Sequence, residues 1–206
     1  MNKVNNFCTY LLRMYIEPNI TGERRGYIEV ICGCMFSGKT EELIRRIRRV
    51  KFANQRFEIF KPAVDTRYHP MDIVSHDEKA ISSLPVEDSQ QILSKAEHCD
   101  VVGIDEGQFF DDQLPAVCDE LALRGIRVIV AGLDMDYLGN PFGPMAHLIA
   151  KAEFVTKLHA ICPVCGHIAN YSFRKTVHSE RLVLGEKEVY EPRCRKCFFE
   201  ELNKNN

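Results

Sequence analysis

The chain has no excess of positive charge: its 27 Lys and Arg are outnumbered by 29 Asp and Glu, giving a formal net charge of −2. Proteins whose main work is gripping nucleic acid draw much of their affinity from Lys and Arg that neutralise phosphates, so this balance argues against that class. No apolar run approaches the roughly eighteen residues of a membrane helix. Residues 1–15 lack the apolar core and small-residue cleavage site of a signal peptide. The expectation is a cytoplasmic protein with neither a membrane nor a nucleic-acid partner. Internal repeats and low-complexity tracts are missing too, as is the Asn-Lys-x-Asp segment by which GTP-driven switches read guanine. A disulfide framework is also absent. Of nine cysteines, Cys8, Cys99 and Cys118 are isolated, Cys32 and Cys34 flank the start of a glycine loop, and only Cys162, Cys165, Cys194 and Cys197 form paired spacings. Reduced thiols with one metal site fit that distribution.

What is present is an ordinary globular composition in 206 residues, enough for one buried core and a small appendage. Residues 1–25 show no sustained periodicity and read as a lead-in. The β-rich run Tyr27-Ile28-Glu29-Val30-Ile31-Cys32 enters a glycine loop, after which Leu43, Ile44, Ile47 and Val50 recur at helical spacing. On the other face of that helix Arg45, Arg46, Arg48 and Arg49 read more simply as a solvated or subunit-facing surface than as a nucleic-acid contact. Further strands are expected at 57–60, 101–104, 128–131 and 154–158, with helices at 88–97 and 114–123. Strands alternating with helices imply an α/β fold with a mostly parallel sheet. After residue 158 the texture changes to cysteine pairs, short strands and turns, so a second unit is expected at 159–202, with a tail at 203–206.

The glycine loop is Gly33-Cys34-Met35-Phe36-Ser37-Gly38-Lys39-Thr40. Between a buried strand and a helix such a loop points successive N–H groups at anionic oxygens, and the helix terminus adds partial positive charge. Lys39 is placed to reach the β- and γ-phosphates of a nucleoside triphosphate, and the Thr40 hydroxyl to ligate Mg²⁺. A phosphate loop needs a carboxylate at the end of a neighbouring strand, which Val101-Val102-Gly103-Ile104-Asp105-Glu106 offers. Asp105 would hold Mg²⁺ directly or through water. Glu106 is free for proton chemistry, either on water, as in an ATPase, or on a substrate hydroxyl, as in a kinase.

The pairs Cys162-Pro163-Val164-Cys165 and Cys194-Arg195-Lys196-Cys197 suit tetrahedral Zn²⁺ held by four thiolates, a closed structural site. His159, His167 and His178 lie nearby, but four cysteines already complete the set. Zinc would pin both ends of the stretch 166–193. Its middle, with Leu182-Val183-Leu184-Gly185 and Val189-Tyr190, reads either as a substrate lid or as a β-hairpin packing its own apolar side chains.

Over residues 26–199 the sequence resembles the zinc-containing thymidine kinases of the cytosolic, tetrameric type. The resemblance is carried by Gly33-Cys34-Met35-Phe36-Ser37-Gly38-Lys39-Thr40-Glu41-Glu42-Leu43, with its Met-Phe-Ser segment. It continues through Asp65-Thr66-Arg67-Tyr68, Ser75-His76-Asp77, Asp105-Glu106-Gly107-Gln108-Phe109-Phe110, Gly132-Leu133-Asp134, Pro141-Phe142-Gly143 and both cysteine pairs, in that order. It implies a RecA-like core with a zinc-ribbon-like lobe carrying a lasso loop. It further implies ATP-dependent phosphorylation of thymidine at its 5′-hydroxyl, with Glu106 as general base and Asp105 on Mg²⁺. Lys39 and Arg67 would stabilise the transferring phosphoryl, and Gln108 would line the phosphate end. Met35, Phe109, Leu133, Phe142 and Tyr190 would surround base and sugar, with Ser172, Val183 and Gly185 near the thymine. A homotetramer and feedback inhibition by dTTP also follow from the resemblance.

Two features depart from the family pattern. Cys34 stands where the family carries proline or serine, and Met135-Asp136-Tyr137-Leu138-Gly139-Asn140 resembles the bacterial branch. The rival from another class is a nucleic-acid-associated ATPase with a zinc ribbon, which would need the basic surface that the composition lacks.

Overall fold

The computed structural model describes residues 25–64, 72–73, 81–175 and 189–202. Its centre is the six-stranded sheet β5-β2-β6-β7-β1-β8, formed by β1 (Tyr27–Gly33), β2 (Phe57–Pro62), β5 (Leu84–Val86), β6 (Val101–Ile104), β7 (Arg127–Gly132) and β8 (Phe154–Leu158). Every pairing in it is parallel. β1, β6 and β7 read as nearly unbroken apolar runs because parallel strands are covered on both faces. Two-residue strands β3 (Asp72–Ile73) and β4 (Ile81–Ser82) pair antiparallel outside this sheet.

One face of the sheet presents Ile31, Ile59, Val101, Ile129 and Ala131 to α1 (Lys39–Phe52), whose Leu43, Ile44, Ile47 and Val50 are all buried. The opposite face presents Val30, Phe60, Val102, Ile104, Val128 and Val130 to α2 (Gln90–Lys95), α3 (Leu114–Leu123) and α4 (Met145–Lys151). Burying one large aliphatic side chain contributes about 1.5–3 kcal/mol, so these two layers dominate the stability of the core. A buried ion-pair network crosses β1, β7 and α1: Glu29 accepts from Arg127 Nε at 2.7 Å and pairs with Arg46.

Beyond β8 the sheet gives way to antiparallel pieces. β9 (Ala160–Ile161) pairs with β10 (Ile168–Ala169), and β11 (Tyr171–Arg174) with β12 (Tyr190–Arg193), before α5 (Arg195–Leu202) closes the described chain. The stretch between the cysteine pairs has an antiparallel β-ribbon as its stem. Its middle, including Val183 and Gly185, lies outside the described residues, as do Arg67, Ser75-His76-Asp77, His178, the lead-in up to residue 24 and the tail. All five expected strands form, and α3 has the expected bounds. The helix expected at 88–97 is shorter, because Ser89 turns its N–H and hydroxyl to Asp111 while Asp88 receives the N–H of Gln91.

Candidate functional site

β1 ends by delivering Gly33 with φ +144°, and a Cβ there would stand 2.2 Å from the Leu158 carbonyl oxygen at the end of β8. Only glycine lets the loop start so close to the neighbouring strand. The loop then turns through Phe36, at φ 64°, into α1. Lys39 Nζ donates to the Cys34 carbonyl at 2.8 Å, folding its charge back across the loop where phosphates would lie. Thr40 Oγ1 donates to Asp105 Oδ2 at 3.3 Å. The start of α1 and the end of β6 therefore present a hydroxyl and a carboxylate side by side, an all-oxygen donor pair that suits Mg²⁺.

Asp105 is buried, and its pKa is pushed up to about 7, first by that burial and then by the adjacent Glu106 charge. Glu106 itself sits in the left-handed region, at φ 54°. A non-glycine residue held there costs of order 1–3 kcal/mol, and the surrounding contacts hold it. Gln108 Nε2 donates to Glu106 Oε2 at 2.5 Å, while Gln108 Oε1 accepts from Leu133 N at 2.8 Å. A backbone N–H can only donate and an ionised carboxylate can only accept, so this pair of contacts fixes which way the buried amide faces. The Glu106 carboxylate is thereby held in place from the Gln108 side.

Phe109 follows in the same turn and meets Phe142 edge-to-face, with ring centroids 5.6 Å apart. Gly143 carries φ +50°, and a Cβ there would lie 2.3 Å from the Gln108 carbonyl, so the chain after Phe142 passes directly against the Glu106 turn. Met35, Phe109, Leu133 and Phe142 are all only partly buried, unlike the apolar side chains of the two core layers. Large apolar groups at the mouth of a polar site form a wall that excludes water from a bound ring.

The cysteine-rich part reaches the same place. The Sγ atoms of Cys162, Cys165, Cys194 and Cys197 lie within 4.8 Å of one another. Four sulfurs at 2.3 Å from a tetrahedral zinc would stand about 3.8 Å apart, so the cluster fits the ion. Burial opposes thiolate formation at Cys162, but backbone N–H groups of Cys194, Val164 and Cys165 outweigh it and bring its pKa down to about 6. Cys34 and Phe36 of the phosphate loop pack against this cluster. Cys34 Sγ donates to the Ala169 carbonyl at 3.3 Å, and Met35 N donates to Ser172 Oγ at 3.0 Å. Tyr190 is buried beside Arg174, whose guanidinium donates to its phenol at 3.1 Å.

Of the residues that the sequence names, contacts join Thr40 to Asp105, Gln108 to both Glu106 and Leu133, Phe109 to Phe142, and Met35 to Ser172, while Tyr190 meets Arg174. Arg67, Val183 and Gly185 fall outside the described residues. Sequence reasoning missed the Asp134–Lys157 ion pair, 2.7 Å long, beside the end of β7, and the Arg174 contacts. Neither has a local signature, since the residues joined lie 16 to 37 positions apart.

A family model described as thymidine kinase matches residues 26–198. A thymidine kinase of Bacteroides thetaiotaomicron is 61% identical over 176 residues, which cover 85% of this chain and 88% of that protein. That of a Rhodothermus species is 59% identical over 90% of this chain and 88% of its own length, and that of Bdellovibrio bacteriovorus 48% identical over 87% and 88%. The X-ray structure of the Legionella pneumophila ATPase DotB superposes with a TM-score of 0.41 at 18% identity, over 68% of this chain and 39% of that one.

Proposed function

The chain belongs to the thymidine kinase family, and we propose that it transfers the γ-phosphoryl of ATP to the 5′-hydroxyl of thymidine, giving thymidine monophosphate and ADP. The observation that carries this reading is the Glu106 carboxylate, held by Gln108 between the phosphate loop and the half-buried aromatic wall.

The phosphate-loop N–H groups and Lys39 hold the triphosphate, and Lys39 follows the γ-phosphoryl as charge develops on it. Asp105 and Thr40 would hold Mg²⁺, which would neutralise phosphate charge and favour the ionised form of the buried Asp105. Glu106 accepts the proton of the 5′-hydroxyl as the O5′–P bond forms and the bond to the ADP oxygen breaks. Met35, Phe109, Leu133, Phe142 and Tyr190 enclose base and sugar, with Ser172, Val183 and Gly185 toward the thymine and Arg67 toward the phosphates. Cys162, Cys165, Cys194 and Cys197 would hold zinc, which would tie together the two ends of the stretch 166–193 proposed as the substrate lid. This reading extends to a cytoplasmic homotetramer inhibited by dTTP. Among the described residues no helix is long and apolar enough to cross a membrane.

Incubation with Mg-ATP and thymidine tests the proposal, with thymidine monophosphate formed in step with ADP as the expected result. ADP release without nucleotide product, stimulated by DNA, would instead favour the ATPase alternative.

A further inference from the structure

The tyrosine-bearing turn that marks the bacterial branch has no part in the chemistry above, yet it is built rigidly. Asp136 Oδ1 accepts from the N–H groups of Leu138 and Asn140, each at 2.9 Å, and Asp136 N donates to the Asn140 carbonyl at 2.8 Å. A β-bridge between Met135 and Pro141 closes the base of the turn. Leu133 lies just before it and Phe142 just after, so one face of the aromatic wall hangs from its two ends.

At its tip Tyr137 lies beneath Arg174 of β11, with the guanidinium carbon 3.6 Å from the ring centroid. Arg174 is 8% exposed and stands opposite Tyr190 in the β11–β12 register. It donates to the Tyr190 phenol while stacking on Tyr137. A guanidinium keeps its charge when buried, and an aromatic face with a phenol oxygen is a setting that suits its planar fork.

We propose that Arg174 is a positioning residue for the nucleoside. By joining Tyr137 to Tyr190 it locks the turn that carries Leu133 and Phe142 to the ribbon that carries Ser172 and Tyr190, so that the two walls of the acceptor pocket are held at one spacing. This rests on the thymidine reading given above. The contacts of Arg174 with Tyr137 and Tyr190 lie on the acceptor side, so its effect falls on nucleoside affinity ahead of the chemical step.

The test is steady-state kinetics on the zinc-loaded full chain for Arg174→Met, Arg174→Lys, Tyr137→Leu and Tyr137→Phe, with both substrates varied. Arg174→Met and Tyr137→Leu are expected to raise the KM for thymidine by about tenfold while leaving the KM for ATP within about twofold. Tyr137→Phe keeps the ring and should stay near wild type. Arg174→Lys, which has no planar fork, should not restore thymidine affinity. A thymidine KM unmoved in Tyr137→Leu, or thymidine and ATP constants rising together, overturns the proposal. Tyr137→Leu decides the matter if Arg174→Met fails to fold. Wild-type protein that makes no thymidine monophosphate would overturn the substrate reading and this inference with it, whereas wild-type turnover with unmoved variants overturns the inference alone.

Discussion

The donor half and the acceptor half of the cleft are made in different ways. The groups proposed to bind phosphate and metal stand at the ends of β1 and β6, internal strands of a parallel sheet buried on both faces. The walls proposed for the nucleoside come from four separate segments, around Met35, Phe109, Leu133 to Phe142, and the β11–β12 pair with Ser172 and Tyr190. They are joined by contacts such as Gln108 to Leu133, Met35 to Ser172 and Arg174 to Tyr137. A rigid sheet supplies precision for charge that must be placed closely, while a jointed wall supplies a surface that can close on a ligand. The comparison predicts that changes at strand ends act on turnover and changes at the joints act on affinity.

The largest effect is expected at Glu106. Glu106→Gln keeps the shape and an oxygen to accept from Gln108 but cannot take the hydroxyl proton, so kcat should fall by about 10²- to 10⁴-fold with ATP binding retained. Binding measured by calorimetry beside single-turnover rates checks this. Near-normal turnover would remove Glu106 from its role.

Next comes the zinc cluster, where the two halves meet. Cys34 and Phe36 of the phosphate loop pack on the same cysteines that pin the ribbon, so the metal supports donor and acceptor sites together. Cys194→Ser should release zinc, lower the melting temperature by about 10 °C or more, and raise both Michaelis constants, that for thymidine further. Metal analysis, thermal melts and kinetics on the same preparation would show it. Zinc loss that leaves the ATP constant untouched would show that the contact with Cys34 and Phe36 carries no support.

Ser172 gives a finer separation. Its hydroxyl accepts from Met35 N, and losing one buried hydrogen bond costs about 1 kcal/mol, or roughly a fivefold change in an equilibrium constant. Ser172→Ala should therefore weaken ATP as well as thymidine, while Ser172→Thr, which keeps the hydroxyl, should spare ATP. An Ala variant altered for thymidine alone would mean that this joint does not reach the donor half.

The same division explains what could be read from the sequence. The donor half is built from two contiguous runs: strand, glycine loop and helix in one, and strand with the paired acids at 105 and 106 in the other, both announced by spacing and hydrophobic period. The acceptor walls became legible only through motif resemblance, because Phe109, Leu133 and Phe142 taken singly look like core. Their partial exposure distinguishes them, and exposure is a property of the fold. Among the elements that the sequence did not announce, three were hidden for local reasons. β5 is three residues long with Pro85 at its centre, tolerated because the strand is at the sheet edge. α4 has seven residues and α5 eight, too few for a helical period to stand out beside prolines or cysteines. Arg174 and Tyr137 are 37 positions apart, and no local pattern pairs a strand arginine with a turn tyrosine.

The smallest effect is expected where the acceptor segment leaves the site. Asp111, two residues after Phe109, accepts from Ser89 N at 2.8 Å, Ser89 Oγ at 2.7 Å and Gln113 N at 2.9 Å. Burial pushes its pKa up, but the hydrogen bonds from Ser89 and Gln113 outweigh this and hold it below the ordinary carboxylate value. A depressed folded-state pKa stabilises the protein above the unfolded value of about 3.9, and that stabilisation is lost as pH falls through the lower folded value. Asp111→Asn keeps the shape without the charge, so wild type should melt above it by no more than about 2–4 °C at pH 7, since solvent screens this exposed group. That gap should shrink below about pH 4, and taking it between two proteins at each pH cancels the zinc release that acid also causes. A gap independent of pH would assign Asp111 a role in shape alone and leave the Phe109 segment anchored by packing, as the donor strands are.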